Sequence, residues 1–193
     1  MATEPKDGKY IYHLTPLENL ESIITHGLLP RNEVFDFKDI ASAEILLKRS
    51  DHQLEGFVPF HFFAKTPFCG NVEKNNPGLH FIYLAVKRHH ARIRNFKIIP
   101  SHPVNYGDEP LDWEAGMEAI NWDLMALKDY SNHECKEVCM AEALFMGALK
   151  ISEIDYIYTK ADQVTAYIME LLAKHKLINL KVSTNQHMFV RND

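Results

Sequence analysis

The chain has 193 residues, of which 46% are apolar and 24% charged, and this composition fits one globular domain spanning residues 1–193. Its 21 basic and 26 acidic side chains leave a formal charge of −5, which argues against a protein that coats nucleic acid without excluding a local basic surface. The sequence has no apolar run of the roughly 18 residues that span a bilayer, and no signal-peptide pattern at its start. Its three cysteines are too few for a disulfide framework, so we expect a cytoplasmic protein that does not enter the membrane.

The first predicted elements are a strand over 9–15 and a helix that runs to Gly27. Thr15 can cap this helix, Pro16 suits its first turn, and Glu18 stands three residues after the cap. Gly27 is the expected end of the helix, because glycine readily adopts the backbone conformation that terminates helices.

Later elements follow no regular strand–helix–strand period, which favours an α+β fold over a doubly wound sheet. Further helices are predicted over 40–49, 117–128 and 162–176, the last with Val164, Tyr167, Ile168, Leu171 and Leu172 facing inward. Further strands are predicted over 57–64, 79–86, 96–100 and 154–159, with Pro59 marking an edge or a bulge. Loops are predicted over 71–78 and 101–114, and a closing β pair over 180–183 and 187–190. The run 136–148 fits either a helix or a strand.

Several common catalytic motifs are absent from the sequence. It has no P-loop, no Gly-x-Gly-x-x-Gly, no Gly-x-Ser-x-Gly and no His-Glu-x-x-His, which argues against a kinase, a Rossmann dehydrogenase and a zincin. His133, Cys135 and Cys139 have the chemistry of zinc ligands but lack a second ligand pair at a suitable spacing. We therefore expect no metal site.

The segment 87–97 (KRHHARIRNFK) concentrates five basic side chains and contains no acid. It lies between two predicted strands, so we expect an exposed connection. On an acidic chain such a segment can localise a polyanion, which predicts nucleic-acid contacts through Lys87, Arg88, Arg92 and Arg94. The alternative is a solvated run of charges with no partner.

Glu142 is the only acid between Val138 and Ser152. Burying a carboxylate inside an apolar run is costly unless the group is paired or hydrogen-bonded. Glu142 is therefore expected either at the end of an element, facing a cleft, or in an ion pair.

Four short segments, taken in order, resemble the DarT family of DNA ADP-ribosyltransferase toxins. They are YHLT (12–15), NLESIITHGLL (19–29), FVPFHFFAKTPF (57–68) and MAEALF (140–145). Members of this family are usually paired with a macrodomain antitoxin that removes the modification. The resemblance implies an ADP-ribosyltransferase-like mixed fold, with a central split β-sheet, flanking helices and NAD⁺ bound in the central cleft.

The resemblance also assigns residues to the co-substrate NAD⁺. By the family pattern, His13 and Thr15 would hold the nicotinamide-side ribose and amide. Asn19, Gly27 and Leu28 would shape the rest of the pocket. Considered without the family, a histidine in this position is more often a packed or capping residue.

Glu142 matches the catalytic glutamate of the family. A carboxylate held near the ribose can stabilise the positive charge that develops when the nicotinamide bond breaks. Lys65 falls where thymidine-modifying members have an arginine, and it would act as a second catalytic group. As a point charge it can bind the pyrophosphate or lower the pKa of a base N–H, but it lacks the planar grip of arginine.

Two departures from the family pattern concern the target base. They are Lys65 in place of arginine and the segment 101–105 (SHPVN) in place of a Thr-Asp-Gly-type loop. Both lie where the base would be recognised, so thymine and guanine both stay open. His102 and Tyr106 would contact the nucleic acid, Tyr106 as an aromatic surface for stacking.

The leading hypothesis is NAD⁺-dependent mono-ADP-ribosylation of a base in single-stranded DNA, because base atoms are hidden in a duplex. The alternatives are an ADP-ribosyltransferase acting on RNA or protein, and a non-catalytic module that binds NAD⁺ or nucleic acid. The last is favoured if Glu142 lies far from His13. Trp113 and Trp122 offer further stacking surfaces, although Trp122 is more typical of a core.

Overall fold

The structure is a computed structural model that describes residues 4–34 and 54–190. The helix predicted over 40–49 lies outside the described residues. The framework is a seven-stranded sheet built from β1 (Tyr10–Pro16), β2 (Phe57–His61), β3 (Phe81–Lys87), β4 (Lys97–Ile99), β5 (Glu142–Met146), β6 (Tyr156–Thr159) and β7 (Lys181–Thr184). The strand order is β4-β5-β2-β1-β3-β6-β7. Neighbouring strands are antiparallel, except that β7 runs parallel to β6.

Short helices connect and flank the strands. They are α1 (Leu20–His26), α2 (Pro67–Asn75), α3 (Arg88–Ile93), α4 (Pro103–Tyr106), α5 (Trp113–Ala119), α6 (Trp122–Leu127), α7 (His133–Val138) and α8 (Asp162–Lys174). Short 3₁₀ turns cover Leu17–Asn19, Arg31–Glu33, Leu54–Gly56, Ile151–Glu153 and Gln186–Met188. No helix in the described ranges is long and apolar enough to cross a membrane.

The sheet is split between β1 and β2, where one residue pair, Tyr12 with His61, joins the two halves. Beyond this pair a side chain bridges the strands, since Nδ1 of His13 lies 2.8 Å from the carbonyl oxygen of Pro59. The N–H and C=O of a strand residue point to the same side, so the missing N–H of Pro59 also faces the split. Proline is tolerated in this inner strand because no main-chain hydrogen bond between β1 and β2 requires an N–H at that position. The predicted α+β fold with a central split sheet is confirmed.

One face of the sheet carries the main hydrophobic core, here called the large core. Strand alternation sends Ile11, Phe60 and Leu84 to this face, each with 0% of its surface exposed. Helices α1, α3, α5, α6, α7 and α8 all contribute buried residues to the same cluster. The large core therefore holds both halves of the split sheet together.

The opposite face has two smaller apolar clusters. The β1–β3 cluster contains Leu14, Cys69, Val72, Phe81, Tyr83 and Phe189, and α2 lies over it. The β4–β5 cluster contains Leu54, Ile99 and Leu144. The strip of sheet between these clusters is where polar side chains can be buried without breaking a continuous core.

The start of the first helix differs from the prediction. Thr15 is a buried residue of β1, and its hydroxyl accepts a hydrogen bond from Nδ2 of Asn19 at 3.2 Å instead of capping a helix. Helix α1 begins only at Leu20, after a 3₁₀ turn. Gly27 ends it as expected, with φ +88°, and a Cβ at Gly27 would lie 2.9 Å from the carbonyl oxygen of Leu149.

Helices occur in three segments where the sequence predicted none. The loop prediction over 71–78 was wrong for its first part, because Thr66 accepts the N–H of Cys69 at 3.3 Å and starts α2, which continues to Asn75. The segment 87–97, expected as an exposed connection between strands, contains helix α3 and ends in strand residues on both sides. The loop predicted over 101–114 includes α4 and the start of α5.

Other boundaries differ for local reasons. The helix predicted over 117–128 is two helices, because Asn121 starts α6 by accepting the N–H of Leu124 at 3.0 Å. The ambiguous run 136–148 contains both the end of α7 and strand β5. Tyr167, expected to face inward, is 52% exposed. At the C-terminus β7 pairs with β6, whereas the segment predicted as its partner forms a 3₁₀ turn.

Candidate functional site

A row of three side chains crosses the split on the face opposite the large core. Glu142, the first residue of β5, is in register with His61 of β2, which is in register with Tyr12 of β1. Directly opposed residues of antiparallel strands project from the same face. Glu142 and His61 are 6% and 4% exposed, so a carboxylate and an imidazole are buried side by side between the two smaller clusters.

Glu142 is buried, and its neighbour in the row, His61, packs beside an aromatic ring. Nδ1 of His61 lies 3.4 Å from the carbonyl oxygen of Ala141, and the ring of Phe68 lies 5.7 Å from that imidazole. Glu142 stands at the beginning of a strand, as expected for a residue at the end of an element. In such a low-dielectric position a carboxylate interacts strongly with positive charge that develops nearby.

His13 and Thr15 approach the split from the other side. Alternation along β1 turns both side chains toward the large core, where the ring of His13 lies 5.6 Å from that of Phe60. In the sheet register, the Cα atoms of His13 and Glu142 are two strands and one residue apart, which is about 10 Å at ordinary strand spacing. The side chains of His13 and Glu142 therefore project from opposite faces of the sheet, with the split between their strands.

Gly27 and Leu28 lie at the far end of β5 from Glu142. Leu28 exchanges main-chain hydrogen bonds with Leu149, at 2.7 and 2.9 Å, just beyond the end of that strand. Asn19 is positioned by its bond to Thr15. These residues form a group around the C-terminal end of β1, separate from the row that contains Glu142.

Lys65 occupies a constrained turn just past the end of β2, on the side where β5 begins. Its φ is +58°, in the left-handed region that few non-glycine residues adopt. The N–H of Lys65 donates to the hydroxyl of Tyr83 at 3.1 Å, and the hydroxyl of Tyr130 donates to its carbonyl oxygen at 2.9 Å. Two tyrosines thus hold the main chain while the side chain of Lys65 stays exposed.

The basic segment is engaged in intramolecular pairs. Lys87 pairs with Asp155 at 3.0 Å, Arg92 with Glu114 at 2.6 Å, and Arg94 with Glu153 at 2.9 Å. Arg94 also packs over the ring of Phe145, which faces the large core. These pairs provide no support for nucleic-acid contacts through Lys87, Arg92 and Arg94, which stay a prediction from sequence.

Arg88 fastens the N-terminal segment to the sheet. Its guanidinium donates to the carbonyl oxygens of Pro5, Lys6 and Phe62 at 2.6, 2.8 and 3.1 Å. It also stacks over the rings of Phe62 and Trp122, at 5.2 and 5.4 Å. Burial lowers the pKa of Arg88 to about 10, which still leaves it charged at neutral pH. The geometry is that of a structural anchor.

His102 and Tyr106 follow β4, whose last residue, Ile99, is in register with Glu142. Nδ1 of His102 accepts the N–H of Val104 at 3.2 Å and begins α4. Tyr106 is half-buried against the β4–β5 cluster, and burial raises the pKa of its hydroxyl. Tyr106 therefore lies on the Glu142 side of the sheet.

The two tryptophans offered as stacking surfaces are internal. Trp113 and Trp122 are 7% and 9% exposed and belong to the large core, so neither is a platform for a base. Across residues 4–34 and 54–190, no group of three or more His, Cys, Asp or Glu side chains could hold a metal ion.

Sequence reasoning missed the roles of His61 and Tyr12 in this site. Both lie inside segments that carried the family resemblance, but neither was assigned a function. Their importance follows from strand register, which joins residues far apart in the chain. The available signal was a single polar residue, His61, within an otherwise apolar strand.

A family model described as "ssDNA thymidine ADP-ribosyltransferase, DarT" matches residues 12–190. Among solved structures, the chain is similar to DarT of Thermus sp. 2.9 in complex with ADP-ribosylated ssDNA, with a TM-score of 0.84 and 18% identity over 98% of this chain and 100% of that one. The same Thermus protein in complex with NAD⁺ gives a TM-score of 0.78 and 16% identity over 95% and 98% of the two chains.

DarTG of Thermosipho africanus in complex with ADP-ribose gives a TM-score of 0.76 and 19% identity, covering 94% of this chain and 51% of that one. A search of curated protein sequences finds no match. At these identities the structural likeness shows a shared fold, while the family model covers most of the sequence. The chain belongs to the DarT family of ADP-ribosyltransferases.

Proposed function

We propose that this chain transfers ADP-ribose from NAD⁺ to a base in single-stranded DNA, with Glu142 as the catalytic carboxylate. The observation that carries the proposal is the burial of Glu142 at the start of β5, in register with His61 and Tyr12 across the split. The family description names single-stranded DNA and thymidine, so thymine is the first base to test and guanine the second.

The chemistry requires a group that tolerates positive charge on the ribose. The bond between the anomeric carbon and the nicotinamide nitrogen breaks, and its electron pair leaves with nicotinamide. The ribose carbon then carries oxocarbenium character until a nitrogen of the target base attacks it and loses its proton. A carboxylate in a dry site stabilises this state, at no cost of solvent reorganisation, because its charge is already fixed.

Other side chains complete the proposed site. His13 and Thr15 bind the nicotinamide-side ribose and amide from the β1 side of the split, and Asn19, Gly27 and Leu28 shape the pocket behind them. Lys65 stands on the turn beyond β2, where it meets the pyrophosphate or the target base.

The substrate side of the site is proposed to include His102 and Tyr106. Both follow β4, whose last residue is in register with Glu142. Tyr106 offers a ring on which the target base or its neighbour can stack.

The proposal includes a cytoplasmic toxin controlled by an antitoxin. Its support is the likeness to DarTG, a chain nearly twice as long that was solved with ADP-ribose. A macrodomain that removes ADP-ribose from DNA would reverse the reaction proposed here. Co-expression provides the test. An active transferase is expected to inhibit growth, and co-expression of such a macrodomain is expected to relieve that inhibition.

The test uses labelled NAD⁺ with separate pools of single-stranded DNA, duplex DNA, RNA and lysate protein. We expect label in single-stranded DNA, and Glu142→Gln lowers its transfer by about 10² to 10³-fold. Glu153→Gln is the matched control, because Glu153 pairs with Arg94 away from the row. Label that enters only RNA or protein, or full transfer by Glu142→Gln, contradicts the proposal.

A further inference from the structure

Four tyrosines form an aromatic surface on the same face of the sheet as Glu142. They are Tyr10 and Tyr12 of β1 and Tyr156 and Tyr158 of β6, all half-buried, and we call them the tyrosine surface. Tyr156 and Tyr158 stack with ring centroids 4.6 Å apart and planes 10° apart. Across β3, Tyr10 lies 6.3 Å from Tyr156, and Tyr12 lies 6.3 Å from Tyr158. The four rings therefore make one continuous patch.

A small residue beneath the rings explains how they meet. Strand β3 separates β1 from β6, and its Ala85 is in register with both Tyr12 and Tyr156. The methyl group of Ala85 leaves room for rings from both sides to lean over the strand. Within the described ranges, the hydroxyls of the four tyrosines make no hydrogen bond to the protein, so no internal polar network requires them.

The tyrosine surface lies in register with the row that contains the carboxylate. The register runs from Glu142 through His61, Tyr12 and Ala85 to Tyr156, crossing five adjacent strands. At ordinary strand spacing this is a track of about 19 Å. A track of this length can accommodate the nucleotides next to a target base that is bound at Glu142.

Cations border the tyrosine surface at both ends. Lys181 of β7 is exposed and in register with Tyr156. Lys9 is exposed and directly precedes Tyr10. Asp155, the acid next to Tyr156, is already paired with Lys87 and His90, at 3.0 and 2.8 Å.

We infer that the tyrosine surface binds the bases that flank the target nucleotide of single-stranded DNA, while Lys9 and Lys181 lie near the phosphates. Stacking suits this task because every base has a π face, so flanking sequence is tolerated. The inference rests on the proposed function, and it assigns to this face a DNA track that continues from the site of chemistry.

The experiment compares a trinucleotide centred on the target base with a 15-nucleotide strand that contains it. We expect Tyr156→Ala to raise the KM for the long strand about tenfold and to change the KM for the trinucleotide much less. Tyr156→Phe keeps the ring and loses far less affinity than Tyr156→Ala. Tyr167→Ala is the matched control, since Tyr167 is 52% exposed on α8 and outside the patch.

A long-strand KM equal to that of the wild type in Tyr156→Ala and Tyr158→Ala overturns the inference. An equal loss on both substrates does so as well, because it indicates a general structural defect. Equilibrium binding of a fluorescent 15-nucleotide strand without NAD⁺ gives a second measurement. If the wild type transfers no label to DNA, the proposed function fails, and this binding assay still decides whether the tyrosine surface binds single strands.

Discussion

The two faces of the sheet are built from the same strands but pack differently. On one face the apolar side chains merge into the large core, which spans both halves of the sheet. On the other face they separate into the β1–β3 and β4–β5 clusters, with Glu142 and His61 between them. One face therefore stabilises the fold, while the interruption on the other makes room for buried polar groups.

Strand alternation lets one segment serve both faces. In β1, Ile11 enters the large core while the next residue, Tyr12, joins the row with Glu142. In β5, Ala143 enters the large core while the preceding residue, Glu142, lies on the opposite face. A slip of one residue would exchange the two sets, so the large core also fixes the register of the site.

The largest effect on stability is expected on the large-core face. Phe96 is 1% exposed, and its ring lies 5.6 Å from Phe60 and 5.0 Å from Phe145. Phe96→Ala is expected to lower the free energy of unfolding by about 3–5 kcal/mol, because it leaves a cavity between packed rings. Urea unfolding measures this loss, and transfer activity per folded molecule stays close to that of the wild type.

Phe57→Ala provides the contrast on the other face. Phe57 is only half-buried and packs against the small β4–β5 cluster. Its loss is expected to cost about 1–2 kcal/mol, well below the cost at Phe96. An equal loss in the free energy of unfolding at Phe57 and Phe96 would contradict the difference in packing between the two faces.

A smaller effect is expected at Asp155, where β3 and β6 meet. Its carboxylate accepts the N–H of Lys87 at 2.8 Å and pairs with the side chains of Lys87 and His90. Burial alone raises the pKa of Asp155, but these hydrogen bonds and charges outweigh it and lower the pKa below 3.8. The stabilisation is therefore present above the ordinary carboxyl pKa and is lost as pH falls through the lowered folded-state value.

Asp155→Asn is expected to cost about 1–3 kcal/mol at pH 7. The difference from the wild type shrinks as the pH is lowered below about 4, because the wild-type carboxylate then takes up its proton. Thermal unfolding of both proteins from pH 7 to pH 3 measures this. A difference that stays constant over that range contradicts the assigned pairing.

Tyr130 gives a test of the turn beside the row. Tyr130→Phe removes the hydroxyl that donates to the carbonyl oxygen of Lys65 and keeps the ring. We expect kcat for transfer to fall about fivefold, the effect of one hydrogen bond of about 1 kcal/mol, with little change in the KM for NAD⁺. Steady-state kinetics separate the two constants, and an unchanged kcat shows that the turn needs no such anchor.

Local signals were sufficient for part of the fold. The local sequence was sufficient to predict β1, β3 and β6, because apolar stretches bounded by turn residues favour strands. Gly27 marked the end of α1 for a similar local reason. The boundaries that failed, as at Thr66 and Asn121, depended on single capping side chains whose hydrogen bonds are visible only in three dimensions.

The site was predictable only where a family pattern covered it. Glu142 and His13 came from short motifs, whereas the pairing of Tyr12 with His61 joins segments that nothing local connects. The charge of segment 87–97 was visible in sequence, but its acidic partners at Glu114 and Glu153 lie on other elements. A run of basic residues therefore predicts a charged surface. Whether those side chains can bind a ligand depends on acidic partners that the local sequence does not reveal.

The smallest effect is expected from Arg92 and Arg94 on the large-core side. Exposed ion pairs contribute about 0–1 kcal/mol each, so Arg92→Ala with Arg94→Ala should alter stability only slightly. The same double variant tests the sequence-based prediction that these side chains bind nucleic acid.

The proposed reaction depends on Glu142, on the interrupted face of the sheet. The most direct measurement is the rate at which labelled ADP-ribose enters a single-stranded oligonucleotide, compared among the wild type, Glu142→Gln and the Arg92→Ala/Arg94→Ala variant. We expect the double variant to stay within about twofold of the wild type and Glu142→Gln to be slower by about 10² to 10³-fold. Transfer preserved in Glu142→Gln would contradict the assignment of Glu142 as the catalytic carboxylate, whereas loss of transfer in the double variant would support nucleic-acid contacts through Arg92 and Arg94.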